Sequence, residues 1–389
     1  MTNPQLKIII LVSAALGFSA VFSLNTFETK TDRPTISSGD WSIIDYQNPK
    51  LRRFIASPNI CKINDSIYIT SHEYYGEGVD EWYTYVSKTN DMGKSWGKAS
   101  KIPQLMNADL ISIRDTLYLF GTFRRKDKGT NDLMVCMSIN QGDKWECSRL
   151  FENDQLWGTS PTSSILKNDT IWKLVNLNAY PFNNPNTQYL FAYASINKNL
   201  LENENWAFSE PSRNTEGIEP TVVVDNNRLA ILYRYHEPAN GGLAKLQYFN
   251  RMKWSSTSFI DLPGGCKKFY VQYDSVSRKY WTISNSIMDS DRNKGVNIER
   301  LRNFCTLSFS TDLHTWYIKD TLLYTPNFKN EGWQYIDWEF DRNDIIAVSR
   351  TAMPSEDGPS KSQHDANHLT FHRFNNFRIG SDAYQFRRQ

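Results

Sequence analysis

The chain has 389 residues, of which 40% are hydrophobic and 22% are charged, a composition typical of globular proteins with a large apolar core. Its 44 basic and 42 acidic residues leave a net charge of +2, without a long basic block. This balance argues against nucleic acid as a partner and against a polybasic membrane-binding patch.

The first predicted element is an apolar segment near the N-terminus. Lys7 precedes an apolar run from Ile8 to Leu24, and the small residues Ala20 and Ser23 favour cleavage near position 23. We predict that residues 1–24 are an export signal, with an uncleaved membrane anchor as the alternative. Residues 25–42 are predicted to be a polar linker and residues 43–380 the folded domain. The protein is therefore expected in the periplasm, on the cell surface or in the medium.

The folded part repeats one pattern six times: an apolar strand, a turn rich in Asp and Asn, and a second apolar strand ending on polar or charged residues. The copies are Ser57–His72, Asn107–Arg124, Thr162–Asn176, Glu219–Arg234, Lys267–Asn285 and Tyr335–Arg350. Strand repeats of about this period are typical of β-propellers. The predicted fold class is all-β, a six-bladed β-propeller of four-stranded antiparallel blades.

A second hairpin, closed by Trp, follows several of these strand pairs. The best copies are Thr89–Trp96, Ser138–Trp145 and Ser310–Trp316. In such a turn Asp or Asn accepts backbone N–H groups, Gly supplies a positive φ, and Trp packs the hairpin onto the blade. The pattern resembles the Asp box of the sialidase (neuraminidase) superfamily, and this resemblance supports the six-bladed propeller.

Strand direction predicts where functional residues lie. If the strands of a blade are A to D from the axis outward, the starts of A, the ends of B and the B–C loops share one face. The Trp-closed turns join C to D on the opposite face, so we interpret them as structural. The working face should therefore carry the residues at strand-A starts, strand-B ends and B–C loops.

Five cysteines are present, in an odd number and without zinc-type spacing. Cys136 and Cys147 flank one hairpin turn and are placed to form a disulfide, with buried free thiols as the equal alternative. We expect no metal and no cofactor.

Two segments of the working face resemble the sialidase superfamily closely. Glu219 opens a strand pair that ends at Arg234; in the family, this Glu activates the nucleophile and this Arg binds the substrate carboxylate. Tyr335 and Asp337 lie in Tyr-Ile-Asp-Trp, which resembles the family's Tyr-Ser-Asp-Leu, whose Tyr is the nucleophile. Both segments open an innermost strand, so Glu219 and Tyr335 are expected to meet near the axis.

Two more residues are assigned through the same resemblance. Arg302 comes shortly before Ser310, where a Trp-closed turn begins. The family has a second carboxylate-binding arginine at the same distance before such a turn. Asp80, in the loop before the first Trp-closed turn, lies near the position of the family's acid/base Asp, with Glu81 as its nearest competitor.

The chemistry of sialic acid accounts for these residue types. Its carboxylate lies on the anomeric carbon, so arginine side chains bind it bidentately. A carboxylate nucleophile would be repelled there, whereas a Tyr is neutral until a neighbouring Glu accepts its proton. Sialidases with a Tyr nucleophile are an exception to the usual two-carboxylate scheme.

The chain also departs from the family. Sialidases begin the first blade with Arg-Ile-Pro, but Ala56 stands where that arginine is expected, two residues before Pro58. Arg53 or Lys267 would have to help bind the acidic group. The predicted substrate-binding residues are Arg53, Arg234, Arg302, Lys267, His72, Asp337, Arg350, His364 and Asp365.

The resemblance implies an exported exo-glycosidase that removes a terminal, acidic sugar from a glycan with retention. Tyr335 would be the nucleophile, Glu219 its base and Asp80 the acid/base. One alternative is a propeller-type polysaccharide lyase or other glycosidase that uses His72 or His364 with Tyr335. The other is a non-catalytic glycan-binding propeller, since propellers host many functions. We expect a monomer that contacts a membrane only through an uncleaved N-terminal segment.

Overall fold

The computed structural model describes residues 40–125, 131–151, 155–159, 163–178, 187–212, 217–236, 241–292, 295–380 and 383–386. Within these residues the strands form six antiparallel sheets, which confirms the predicted six-bladed propeller. The predicted signal segment, residues 25–39 of the predicted linker and Thr162 at the start of the third copy lie outside the described residues.

The sheets, called blades 1 to 6 in chain order, each run from a first strand near the axis to a last strand at the periphery. Blade 1 comprises Phe54–Lys62, Tyr68–Tyr75, Tyr83–Thr89 and Gly97–Pro103, and blade 2 comprises Leu105–Ile113, Thr116–Arg124, Asn131–Ser138 and Glu146–Leu150. Blade 3 comprises Trp157–Gly158, Ile165–Lys167, Thr170–Leu177, Gln188–Ser195 and Trp206–Phe208, and blade 4 comprises Ile218–Asp225, Arg228–Arg234, Leu243–Asn250, Lys253–Trp254 and Ser258–Asp261. Blade 5 comprises Tyr270–Asp274, Lys279–Asn285, Phe304–Ser310, Trp316–Tyr324 and Tyr384–Gln385, and blade 6 comprises Gly332–Asp341, Asp344–Ala352, His368–Phe374 and Trp41–Tyr46.

Helical structure is confined to short segments in the described residues. These are the 3₁₀ turns Pro49–Leu51, Asn203–Asn205 and Ile298–Arg300 and the α-helical turn Asp289–Arg292. None of the helices described is long and apolar enough to cross a membrane.

The ring is closed by its two ends. The N-terminal strand Trp41–Tyr46 supplies the outermost strand of blade 6, where Trp41 pairs with His372 and Tyr46 with His368. The strand begins two residues before the domain start predicted from the sequence. Blade 6 is thus built from both ends of the domain, so the closure depends on backbone hydrogen bonds and packing rather than on a covalent link.

Neighbouring blades are joined by hydrogen bonds between their first strands. Asp337 of blade 6 accepts the backbone N–H of Ile60 in blade 1 at 2.9 Å. Asp109 of blade 2 accepts the N–H of Ser164, at the start of blade 3, at 2.6 Å. Side chains thereby satisfy backbone groups that sheet pairing leaves free at the axis. Apolar clusters fill the space between the blades farther out, such as the cluster of Trp281, Trp338 and Ile345 between blades 5 and 6.

The three Trp-closed turns share one hydrogen-bond pattern. In the first, Asp91 accepts the backbone N–H of Ser95 at 2.9 Å, and the Trp96 indole donates to the carbonyl of Gly93 at 3.2 Å. Gly93 has φ +89°, and a Cβ there would lie 2.4 Å from the ring of Phe371 in blade 6. Asn140 and Asp312 accept the corresponding N–H groups of Lys144 and Thr315 at 3.0 and 2.7 Å, respectively. Each turn is therefore held by its own side chains.

Replacing Asp91 with Ala is expected to lower the free energy of unfolding by about 1 kcal/mol, because the backbone N–H and the hydroxyl of Ser95 lose the acceptor that holds the turn. Hydrogen bonds from Ser95 and Thr89 hold the pKa of Asp91 down at about 2. The difference in free energy of unfolding between wild type and Asp91→Ala should therefore be largest above pH ~4 and decrease as the pH falls toward 2. Urea unfolding across this pH range measures it, with the exposed Asn90→Ala as control; equal losses for both variants would contradict the prediction.

Of the two alternatives for Cys136 and Cys147, a disulfide or free thiols, the structure contains the disulfide. Cys136 and Cys147 form a disulfide across a hairpin of blade 2. Cys61, Cys266 and Cys305 are buried free thiols.

Candidate functional site

A backbone bulge at the start of the first strand recurs in four blades. The register shifts there, and Ser57, Asn107, Glu219 and Tyr335 adopt positive φ values of 42°, 48°, 45° and 51°. A bulge of this kind turns one side chain out of the regular strand alternation. Positive φ is unfavourable for such residues, and strain of this type is concentrated at functional sites. The repeat thus takes one residue per bulged blade out of the regular strand alternation, at the start of the first strand.

Two of these bulge residues meet. The Tyr335 hydroxyl donates a hydrogen bond of 2.6 Å to Glu219 Oε1, although the residues are 116 positions apart. Burial and the Glu219 charge raise the pKa of Tyr335 to about 12. Burial also acts to raise the pKa of Glu219, but the Arg234 charge and the Tyr335 hydrogen bond outweigh it and lower this pKa. The proton therefore rests on Tyr335, and Glu219 is an ionised acceptor ready to receive it.

Arg234 fixes the carboxylate of Glu219. Its Nη1 lies 2.7 Å from Glu219 Oε2, and its Nε donates to the carbonyl of Cys266 at 2.7 Å. The ion pair outweighs burial and raises the pKa of Arg234. Because one carboxylate oxygen faces Arg234 and the other faces Tyr335, the orientation of Glu219 toward the phenol is set.

Arg302 is buried, and two of its hydrogen-bond donors have no partner among the described residues. Its side chain is 2% exposed, and within the described residues neither its Nε nor its Nη1 has a hydrogen-bond partner. Burial and the charge of Arg234 lower its pKa to about 10. Unpaired buried guanidinium donors are rare in native proteins, and guanidinium donors are suited to binding carboxylates and phosphates. Arg302 is therefore the strongest indication of an anion-binding site.

Arg350 occupies the position in blade 6 that Arg234 occupies in blade 4. Each pairs across the strands with the residue before the bulge, Gln334 and Ile218 respectively. The Arg350 guanidinium lies 4.6 Å from the centroid of the Tyr335 ring, and its buried Nε has no partner among the described residues. Arg350 thus adds a third cation beside the Tyr335–Glu219 pair.

Blade 1 has a different residue at that repeat position. Glu73 pairs with Ala56, the residue before the blade 1 bulge. Burial raises the pKa of Glu73 to about 8, so the carboxyl is largely neutral at pH 7. Arg53, predicted to assist with substrate, donates to Gln47 at 2.6 Å and lies over the Tyr74 ring. Its contacts are thus with the blade 1–blade 6 junction, while Arg350 lies next to Tyr335.

Two lysines lie beneath the site at the entry to blade 5. Lys267 is fully buried and donates to the carbonyl of Asn285 at 3.0 Å, and burial lowers its pKa to about 8. Lys268 donates to the carbonyls of Glu219 and Pro220 at 3.2 and 3.3 Å, and burial lowers its pKa to about 7. Lys268 therefore supports the bulge that carries Glu219. It was not among the predicted site residues, although the Lys-Lys pair at a first-strand start was visible in the sequence.

His364 and Asp365 lie at the edge of the same cluster. His364 Nδ1 is 3.0 Å from Asp365 Oδ1, and the hydroxyl of Tyr75 donates to the same carboxylate at 3.0 Å. Arg350 Nη2 donates both to Tyr75 at 2.8 Å and to the carbonyl of His364 at 2.9 Å. Tyr75 is a further member of the cluster that the sequence analysis missed, because the repeat copy of blade 1 was predicted to end at His72.

Three predicted residues have their contacts elsewhere in the described part of the chain. His72 is buried with its Nε2 3.1 Å from Asp45, on the N-terminal strand. Asp337 accepts the N–H of Ile60, and burial raises its pKa well above the usual range. Asp80 is exposed in the loop between Tyr75 and Tyr83, without a hydrogen bond or ion pair to the cluster.

The donor set does not resemble a metal centre. Among the described residues no group of three or more His, Cys, Asp or Glu side chains is placed to hold a metal ion. The cluster instead combines cationic side chains with the ionised carboxylates of Glu219 and Asp365 and the phenols of Tyr335 and Tyr75, a set suited to an anionic, hydroxylated ligand.

Comparison of the fold with solved structures gives several matches. A protein of unknown function from Dyadobacter fermentans matches with a TM-score of 0.61 and 13% identity over 88% of this chain and 99% of that chain. Trypanosoma rangeli sialidase matches with a TM-score of 0.59 and 14% identity, over 83% of this chain and 55% of that chain. The α-L-arabinofuranosidase Arb93A from Fusarium graminearum matches with a TM-score of 0.57 and 12% identity, over 86% and 97%.

These matches are likenesses of fold. The chain spans about half the length of the sialidase it matches. No family model matches the chain, and no curated protein matches its sequence. The fold predicted from the repeats is therefore shared with propellers that include glycosidases.

Proposed function

We propose that the protein is a glycoside hydrolase that removes a terminal acidic sugar from a glycan with retention of configuration. The observation that carries the proposal is the 2.6 Å hydrogen bond from Tyr335 to Glu219 beside three arginines, two of which have buried donors without a partner among the described residues. Sialidase and arabinofuranosidase among the structures of similar fold add support. An acidic sugar is favoured because a neutral one would leave the Arg302 donors without a charged partner.

The geometry suits a two-step displacement. Tyr335 Oη attacks the anomeric carbon while its proton passes to Glu219 Oε1, and the bond to the leaving-group oxygen breaks. Water then attacks the same carbon and loses one proton, which balances the proton taken up by the leaving-group oxygen. The electron pair of the bond to Tyr335 returns to the phenol oxygen, which recovers its proton from Glu219. A phenol is needed because a carboxylate nucleophile would be repelled by a substrate carboxylate on the reacting carbon.

The arginines would bind the sugar's carboxylate. Among the described residues, two buried donors of Arg302 and one of Arg350 have no partner, and the Arg350 guanidinium lies over the Tyr335 ring. Arg234 is already paired with Glu219, so in this account its main role is to orient that base. Arg350 thus takes the place that the sequence analysis gave to Arg53 or Lys267.

The proposal is tested by the products released from a panel of glycans by the purified protein. The panel contains α-linked sialosides, glucuronides and uronate-containing polysaccharides, with neutral arabinosides as a comparison. Release of a saturated acidic monosaccharide is the expected result. Unsaturated uronate products, seen by their ultraviolet absorbance, would indicate a lyase instead, and binding without turnover would indicate a glycan-binding propeller.

Export belongs to the same proposal. An apolar segment from Ile8 to Leu24 after Lys7 has the form of an export signal, and a glycan-degrading enzyme meets its substrates outside the cytoplasm. Fractionation of a bacterial host that expresses the full chain tests this, since retention in the cytoplasm would contradict it.

A further inference from the structure

We propose that His364, oriented by Asp365, is the residue that transfers protons to and from the leaving group and the attacking water. The inference rests on the proposed function and deepens it, because the sequence resemblance assigned this role to Asp80. It follows from the contacts that join the His364 backbone to Gln334 and Arg350, which lie beside Tyr335, and from the absence of such contacts for Asp80 among the described residues.

The orientation of the imidazole is fixed from one side. His364 Nδ1 lies 3.0 Å from Asp365 Oδ1 and 3.2 Å from the hydroxyl oxygen of Tyr75, which in turn lies 3.0 Å from the same Asp365 oxygen. The His364 side chain is 33% exposed, and its Nε2 has no hydrogen-bond partner among the described residues. A carboxylate bonded to one ring nitrogen sets the tautomer and leaves the other nitrogen free for proton transfer.

The loop that carries His364 is tied to the nucleophile. Gln334, directly before Tyr335, is fully buried and donates to the carbonyls of Gln363 and His364 at 2.6 and 2.8 Å. Arg350 donates to the same His364 carbonyl, and its guanidinium lies over the Tyr335 ring. His364 is therefore held against the residues that flank the reacting phenol, whereas Asp80 makes no contact with them in the described structure.

The charges that face this pair suit a proton-transfer group. Asp365 is kept ionised, because the His364 hydrogen bond and the Tyr75 hydroxyl outweigh burial and hold its pKa far below the usual value, with Lys361 3.3 Å away. For His364, the Asp365 hydrogen bond acts to raise the pKa, but burial and the charges of Arg350 and Arg302 together lower it. The imidazole therefore exchanges its proton below pH 6.5, in a mildly acidic range.

Protons and electron pairs balance over the cycle. In the first step protonated His364 gives its Nε2 proton to the glycosidic oxygen, which keeps the electron pair of its broken bond to the anomeric carbon. Tyr335 forms the new bond and passes its proton to Glu219. In the second step water bonds to the anomeric carbon and gives a proton to Nε2, while the electron pair of the Tyr335 bond returns to the phenol oxygen, which regains its proton from Glu219.

A pair of substrates with different leaving groups tests this role. Sialyllactose needs a proton on its leaving oxygen, whereas 4-methylumbelliferyl sialoside releases a stable anion without one. His364→Gln is expected to lower kcat/KM for sialyllactose by about 100-fold or more and to change it for the aryl sialoside by less than about 3-fold. In wild type, kcat/KM for sialyllactose should fall as pH rises through the lowered pKa of His364, and Asp365→Asn should shift that limb.

His314→Gln is the matched control, since His314 is exposed in the Trp-closed turn of blade 5 on the opposite face. Equal losses on both substrates in His364→Gln, or an unchanged pH limb, would overturn the role of His364. If wild type releases no acidic sugar from any member of the substrate panel, the proposed function fails, and the state of the imidazole is decided separately without substrate.

That substrate-free measurement is nitrogen NMR of the full protein labelled at histidine, with His364→Gln used for assignment. The expected result is a proton on Nδ1, none on Nε2 at pH 7.5, and titration of Nε2 below pH 6.5 that changes in Asp365→Asn. A proton on Nε2 at pH 7.5, or the same titration in Asp365→Asn, would overturn the inference.

Discussion

Tyr335→Phe is expected to lower kcat by about 1,000-fold or more, with little change in substrate affinity, because the nucleophilic oxygen is lost while the binding residues remain. The phenol oxygen makes a single described hydrogen bond, to Glu219. Removing it leaves Glu219 still paired with Arg234, so the carboxylate keeps its position. The fold should tolerate the change, since the aromatic ring is retained.

The measurement is steady-state release of the acidic sugar found in the substrate panel, together with calorimetric binding of that sugar. Tyr273→Phe is the matched control, because Tyr273 is 44% exposed at a distance from Glu219 in blade 5. If Tyr335→Phe retained more than about a tenth of the wild-type kcat, Tyr335 could not be the nucleophile, because removal of a nucleophile costs far more.

Arg302→Lys is expected to lower kcat/KM by about 100-fold or more on an acidic substrate, because charge-assisted hydrogen bonds contribute about 1.5–3 kcal/mol each and a lysine cannot form the bidentate pair. The same change should leave thermal stability unchanged or slightly raised. Two donors of Arg302 have no partner in the described structure, so its buried charge stabilises the free protein little.

Kinetics on paired substrates with and without the carboxylate measure this effect. The loss should appear only on the acidic member of the pair, because the missing interaction is with the acidic group. Arg228→Lys is the control, since Arg228 pairs with Asp225 at the far end of the blade 4 strands. A large fall in the unfolding midpoint of Arg302→Lys, with equal losses on both substrates, would mean that Arg302 is structural.

Much of the fold could be predicted because the repeat is local. Each strand pair is marked by its turn, and each Trp-closed turn is held by its own side chains, as Asp91 and Trp96 illustrate. The closure of the ring was not predicted. The strand Trp41–Tyr46 pairs with residues more than 300 positions away, and a short segment of mixed polarity at the end of a predicted linker gives no local signal for this.

The meeting of Tyr335 and Glu219 could be anticipated for a geometric reason. All first strands converge on the axis, so residues that open two of them lie near each other whatever their separation in sequence. Arg350 was predicted among the substrate-binding residues, because it ends the copy Tyr335–Arg350 as Arg234 ends the copy Glu219–Arg234. Its contact with the Tyr335 ring was not predicted, because it depends on the bulge at the start of the blade 6 strand.

The role of the buried lysines could not be predicted from the sequence either. Lys268 acts through backbone carbonyls of Glu219 and Pro220, and a sequence pattern carries no record of such contacts across blades. The same holds for Tyr75, whose hydroxyl joins Arg350 to Asp365 only because blades 1 and 6 are neighbours in the closed ring.

The most direct test of a Tyr335 nucleophile acting on an acidic sugar is covalent trapping with a 2,3-difluorinated sialic acid. Fluorine next to the anomeric carbon slows hydrolysis of the glycosyl–enzyme intermediate, so the sugar should remain attached long enough for mass spectrometry. The account predicts one added sugar, mapped to the peptide that contains Tyr335 and absent in Tyr335→Phe. Attachment to a carboxylate such as Glu219 or Asp80, or no attachment at all, would contradict it.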